Sequence, residues 1–380
     1  MNKLMIVIRL LMITSFSLII GQVDVLAHTN PVSEEGYEAR VKHVSDKLII
    51  SRLDNLSSVI EINYTPEVGR RIREYTVNYR IAGERILGRV DRFFPLFEAE
   101  LRKRNLPDEL KYIAVVESNL DPTAASSAGA AGLWQFVTST GKMHGLTINS
   151  YVDERKDPFK STIAAMEYLS YLYEEFGDWT LAIAAYNCGP GGVRKAIRRG
   201  KSTNFWDIRF HLPNETQKYV PRIIAAMYLM QYYHAHDLVP QDVSEELTNV
   251  VEINDGKRHN FTKLAEDLGV SYRTIRKLNP QFKTNYIPKN KGQFTLVIPR
   301  TKYEKYLELY DRKALGDLLR ERKEHEELRK QLNRMKRIME TRLEKPATLY
   351  SVIYHEIKSI HSVRPLFEIP EMMVAEELGD

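Results

Sequence analysis

Apolar residues recur every three to four positions over most of the first 235 residues, the spacing of one face of a helix. The stretch GERILGRVDRFFPLFEAELRKR carries that spacing among charges and predicts a helical region over residues 28–104. A break follows at Asn105-Leu106-Pro107, where Asn105 should cap a new helix with Pro107 in its first turn. From residue 105 to 237, helical patterns alternate with Gly, Pro, Asp and Ser, and strand-like alternation is scarce. This predicts a compact all-α domain. Within it, Asp157-Pro158 should open STIAAMEYLSYLYEEFG and Gly177 should close it, while Asp178-Trp179 opens TLAIAAYN.

Near Asn249 the texture changes. NVVEI is β-branched and extended, FTKLAEDLG and SYRTIRKLN read as two short helices, and FTLVIP reads as a second strand ending at a proline. Strand, helix, helix, strand within residues 249–300 is a small separate module. Residues 301–345 are strongly charged, and Leu328, Leu332, Met335 and Met339 recur at four-three-four spacing. That predicts a solvated helix with one narrow apolar seam packed on its neighbour. Residues 346–380 give no assignable pattern. The fold class is therefore mainly α, with one βααβ module and a charged helical tail.

The first residues, MNKLMIVIRLLMITSFSLIIGQVDVLAHTNP, have a positive start at Lys3 and Arg9 and an apolar core from Leu10 to Gly21. Small residues at Val25-Leu26-Ala27 follow, so residues 1–27 are expected to be a secretory signal, with an uncleaved anchor as the alternative. No cysteine follows the apolar run, which excludes a lipid attached there, and the mature chain is expected in the periplasm or cell envelope. With 55 basic and 50 acidic residues the net charge is only +5, so nothing points to nucleic acid. The single cysteine, Cys188, can form no intramolecular disulfide, and no HExxH or cysteine pair supplies a metal site. No cofactor is expected.

One residue stands out of pattern. In LPDELKYIAVVESNL, at about 100° per residue, Leu106, Leu110 and Ile113 share a stripe, and Glu117 falls on it. Burial and the negative end of a helix both disfavour a charged carboxylate, so its pKa should rise toward a proton donor near neutral pH. A buried glutamate paired with Arg or Lys is the structural alternative. Downstream lie Ser118, then Gly129-Ala130-Ala131-Gly132-Leu133-Trp134-Gln135, where small residues flank an aromatic and an amide. This suits close backbone approach to a sugar, or equally a tight turn around a core tryptophan. AAYNCGPGGVRKAI follows a helix and lacks the lysine and serine of a phosphate loop, so Tyr186 and Asn187 read as ligand contacts. Cys188 reads as a small packing residue, and RKAIRRGK (Arg194 to Lys201) as a solvated helix end. PNETQKYVPRIIAAMYL places Tyr219 before Pro221 at the start of another apolar helix. Asp121 and Asp157 each precede a proline and are explained by turns and caps.

The Glu117-Ser118 pair, GAAGLWQ, AYNCG and ETQKYVP, in this order, resemble the soluble lytic transglycosylase domain, close to its membrane-bound D type, over about Leu106 to Ala235. The resemblance implies a lysozyme-like helical domain acting on peptidoglycan glycan strands. It implies Glu117 as single acid and base, and Ser118, Gln135, Tyr186, Asn187 and Tyr219 lining the glycan groove. The family cleaves the bond from N-acetylmuramic acid to N-acetylglucosamine without water, closing a 1,6-anhydro ring. Two-carboxylate glycosidases need a second acid at a defined distance, and the motif segments suggest none. A hydrolytic muramidase on the same scaffold is the enzymatic alternative, and a non-catalytic glycan-binding protein the other. Residues 249–300, with GVSYRTIRKLNP at Gly269 to Pro280, resemble a LysM domain. They depart from that family where NDGKRHNF replaces a Gly-Asp-Thr signature.

Overall fold

The computed structural model describes residues 44–288 and 294–342, and the expected signal and the tail over 346–380 lie outside them. Two compact units divide at Tyr306–Leu307. In the first, α1 (Asp46–Asp54) and α2 (Pro66–Arg73) lead through a π-helical turn, Glu74–Asn78, into the long α3 (Arg80–Lys103). Asn105 does not cap the next helix: with φ 53° it sits past the end of α3, its N–H bonded to Arg102 O at 3.1 Å. Pro107 instead opens a 3-10 turn, Asp108–Lys111, which passes into α4 (Tyr112–Ser118). The stripe expected on one helix therefore spans two helical forms, with Leu110 and Ile113 still fully buried.

After α5 (Thr138–Met143) come α6 (Pro158–Phe176), α7 (Trp179–Cys188), α8 (Pro190–Gly200), α9 (Phe205–Ile208) and α10 (Asn214–Tyr232). The caps behave as their chemistry requires. Asp157 accepts the N–H groups of Phe159 and Lys160, Asp178 accepts that of Leu181, and Gly177 ends α6 at φ 65°. Helix α7 is the centre of the core: Thr180 through Ala185 are all buried, against α6, α8 and α10.

Pro221 lies inside α10, seven residues after the helix begins, rather than at its start. Proline has no N–H to give to the carbonyl four residues back. That carbonyl, Gln217 O, is taken by Arg209 Nε at 2.7 Å, so a side chain completes the ladder.

After α11 (Glu245–Thr248) the module is built from β1 (Val250–Ile253), β2 (His259–Asn260), α12 (Phe261–Leu268), α13 (Tyr272–Leu278), β3 (Tyr286–Ile287) and β4 (Leu296–Pro299). The expected outer strands pair antiparallel, Val250 with Pro299 through Ile253 with Leu296. A second short ladder, β2 with β3, was not foreseen. The NDGKRHNF stretch is closed by Asp255, whose carboxylate accepts from Tyr306 Oη at 2.6 Å and lies 3.0 Å from His259 Nε2.

This module is laced to the helical part. Val152 bridges Phe282, Asp153 N donates to Gln281 O at 2.8 Å, and Lys283 N donates to Tyr151 O at 2.9 Å. Lys283 Nζ adds a bond to Asn149 O at 2.6 Å.

Beyond α14 (Tyr303–Tyr310), the charged region forms α15 (Arg312–Arg342), 31 residues long. The expected apolar seam is exposed at two of its four positions. Leu328 and Leu332 are 42% and 61% exposed. Their flanks are charged on every side.

Candidate active site

Helix α4 ends abruptly one residue after Glu117. Asn119 and Leu120 both adopt left-handed φ, 51° and 58°, and their N–H groups turn back to Val115 O and Ala114 O. Glu117 is thus fixed in a last turn, half-buried, with its carboxyl facing α10. Tyr219 of α10, itself buried, donates its hydroxyl to Glu117 Oε1. Burial is the leading influence on this carboxyl and raises its pKa to about 7. The Tyr219 bond and the charge of Arg222 pull it back, while the charge of Glu215 pushes it further up. No ion pair neutralises Glu117 among the described residues, so the alternative of a paired buried glutamate has no partner there.

The GAAGLWQ segment is a folded strap. Bridges pair Ala125 with Ala131 and Ala131 with Phe136. Arg155 holds the strap from behind: Nη1 donates to Gly129 O at 2.6 Å and to Phe136 O at 3.1 Å, while Asp153 accepts from its Nε and Nη2 at 2.8 and 2.7 Å. Gly132 has φ 84°, and a Cβ there would lie 1.7 Å from Arg155 O, so the close approach is to the protein's own backbone. Trp134 is no groove aromatic. It is fully buried, 5.0 Å from Phe97 between ring centroids, with Nε1 donating to Thr162 Oγ1 at 3.0 Å, which leaves the core-tryptophan alternative as the correct one.

The sequence-predicted residues are brought together around Glu117 in different ways. Tyr186 is half-buried, donates to Trp134 O at 2.8 Å and feels the Glu117 charge, which adds to burial in raising its phenol well above the usual range. Asn187 Oδ1 accepts from Thr216 Oγ1 of α10 at 2.7 Å, leaving its amide N–H groups for other partners. Gln135 takes φ 48° and donates from Nε2 to Gly132 O at 2.8 Å, so its amide oxygen is the end not used by that bond. Ser118 departs from expectation. Its buried Oγ lies 3.0 Å from Ala114 O and 2.9 Å from Leu133 O, joining α4 to the strap instead of facing the groove. Ser118 therefore fixes where Glu117 stands relative to Gln135.

Sequence reasoning missed three residues. Arg155 is one. Arg222, whose Nε is buried without a hydrogen-bond partner, and Glu215, exposed in the first turn of α10, are the others. Glu215 lies in the ETQKYVP segment, and its effect on Glu117 places a second carboxylate near the site where none was expected. Cys188 is only part-exposed, and burial raises its thiol pKa, the opposite of an activated nucleophile.

Residues 94–209, which hold Glu117, the strap, Tyr186 and Asn187, match the transglycosylase SLT domain. Residues 248–314 match the LysM-like domain of the lytic transglycosylase MltD, so the second unit of the pattern is present as well. The SLT domain continues into relatives by sequence. Membrane-bound lytic murein transglycosylase D of Escherichia coli is 36% identical over 203 residues, covering 52% of this chain and 44% of that protein. The soluble lytic murein transglycosylase of Escherichia coli is 31% identical over 175 residues, covering 42% of this chain and 27% of that protein. The chain thus spans under half the length of either relative. Among solved structures, the 70 kDa soluble lytic transglycosylase from Escherichia coli aligns with a TM-score of 0.34 at 23% identity, covering 50% of this chain and 34% of that one. The helical elements described above agree with the mainly α class read from the sequence.

Proposed function

We propose that the chain is a peptidoglycan lytic transglycosylase in which Glu117 is both acid and base. The observation that carries this reading is a carboxyl with a pKa of about 7 held by Tyr219 inside an SLT domain. A group poised there is protonated often enough to donate and is basic enough, once ionised, to accept. Glu117 gives its proton to the glycosidic oxygen as the bond to C1 of N-acetylmuramic acid breaks, the electron pair leaving with that oxygen. The carbonyl oxygen of the sugar's own acetamide stabilises C1. Glu117, now a carboxylate, removes the proton of the 6-hydroxyl, whose oxygen closes on C1 to form the 1,6-anhydro ring. Glu117 ends protonated as it began. Tyr219 orients the carboxyl and favours its charged form in mid-reaction, while Gln135, Tyr186 and Asn187 bind the sugars and Ser118 positions Glu117.

A hydrolytic muramidase is kept as a second reading because Glu215 supplies a nearby carboxylate. Export to the periplasm or envelope belongs with either reading. No helix among the described residues is long and apolar enough to cross a membrane.

Mass spectrometry of fragments released from purified peptidoglycan tests the proposal. Anhydro-ended fragments from the wild type and none from Glu117→Gln are expected. Reducing ends that vanish in Glu215→Gln would establish the hydrolytic reading. No release from the wild type would leave a glycan-binding groove.

A further inference from the structure

Residues 319–334 of α15 are all exposed. A helix in water draws most of its stability from packing an amphipathic face rather than from propensity. Here that face carries Leu319, Leu328 and Leu332 at 47%, 42% and 61% exposure. Pairs within the helix, such as Lys330 Nζ with Glu326 Oε1 at 3.3 Å, lie in solvent and contribute little.

The apolar residues follow a seven-residue repeat, abcdefg, with Leu318 and Leu332 at a and Ala314, Leu328 and Met335 at d. Over 314–335, five of the seven a and d positions are apolar, and the other two are Glu321 and His325 in adjacent layers. From 319 to 334, Leu319 is the one apolar residue at the outward b, c and f positions. This is a narrow seam on a charged helix, the form that packs against one other helix.

The residues beside the seam select the partner. Arg322 and Arg329 occupy e positions, and Asp317 and Glu324 occupy g positions. In two parallel helices in register, each g residue meets the e residue five positions further along the other copy. Asp317 then meets Arg322 of the second copy and Glu324 meets its Arg329, on both sides by symmetry. An antiparallel pair sets arginine against arginine and carboxylate against carboxylate. Asp317 also pairs with Arg320 of its own helix, an exposed contact that is cheaply shared. Glu321 lies one layer from His325 of the second copy, so the polar interruption is complementary and fixes the register.

We propose that α15 pairs with α15 of a second copy as a parallel two-stranded coiled coil over residues 314–335, making the chain a dimer. The pairing goes beyond the chemistry at Glu117 and is independent of it. A dimer presents two candidate sites and two modules at once, so a second engagement on one polymer becomes intramolecular.

Sedimentation equilibrium of the full-length protein at micromolar concentrations tests this. Wild type should have twice the chain mass, and Leu328→Asp with Leu332→Asp should have the mass of one chain. Glu324→Lys alone should weaken the dimer, and adding Arg329→Glu should restore it. Residues five apart do not face each other on one helix, so that rescue reads a contact between copies. Every substituted side chain is exposed and α15 holds no Tyr or Trp, so near-ultraviolet circular dichroism should match wild type in all variants. A lost dimer with that signal intact reports the pairing rather than misfolding. A wild type of single-chain mass throughout, or a dimer that persists in the double leucine variant, would overturn the pairing. A dimer indifferent to Glu324→Lys would overturn the parallel arrangement.

Discussion

Replacing Tyr219 by Phe removes one hydroxyl and tests whether Glu117 is an acid poised near neutrality. The hydroxyl favours the charged carboxylate, opposing the burial that lifts the pKa to about 7. A hydrogen bond to a charged group contributes about 1.5–3 kcal/mol, and about 1.4 kcal/mol corresponds to one pH unit. Glu117 keeps some contact with solvent, so the low end of that range applies, and Tyr219→Phe should raise its pKa by roughly one unit. An acid must carry its proton in the resting enzyme, so activity falls as pH rises through that pKa. Initial rates of fragment release from peptidoglycan, taken from about pH 5 to about pH 9, should show the alkaline limb shifted upward by about one unit in the variant. A limb that stays in place or moves down would refute the reasoning, because it would mean that Tyr219 does not act through the Glu117 carboxylate.

Two further outcomes concern stability. The folded pKa of Glu117 lies above the ordinary value of 4.5, so between about 4.5 and 7 the folded state holds a proton that the unfolded state releases, and stability declines as pH rises through that window. Glu117→Gln should therefore be more stable than wild type by about 1–2 kcal/mol at about pH 8, after discounting for partial exposure, and indistinguishable at about pH 4; urea melts at the two pH values decide this. Gly132→Ala forces a Cβ against Arg155 O at a left-handed φ and should cost about 3 kcal/mol or more, read as a lowered melting temperature; an unchanged melt would contradict the strap geometry.

What could be read from the chain was local. Glu117 announced itself by falling on an apolar stripe, and Asp157, Gly177 and Asp178 by the capping preferences of their side chains. The Tyr219–Glu117 bond joins residues 102 positions apart, and no periodicity encodes such a pairing. The substitution of Arg209 for the missing Pro221 N–H is equally non-local. Trp134 was ambiguous because a glycine-flanked aromatic looks the same whether it faces a sugar or a core; Thr162, 28 residues on, resolves it by taking the indole N–H. Ser118 misled in the opposite direction, since its neighbour Glu117 meets Tyr219 while its own hydroxyl turns back to Leu133 O. The seam of α15 shows the limit of spacing: it gives the face but not its burial.

The lacing between the module and the helical part has a mechanical meaning. Gln281 and Lys283 bind the backbone of residues 151 and 153, Asp153 grips Arg155, and Arg155 grips the carbonyls on both sides of Gln135. These contacts are in series, like links from a buttress to an arch. In a chain ended before residue 248, the strip that steadies the strap would have one side in water. Strain applied to the module would be felt at Gln135.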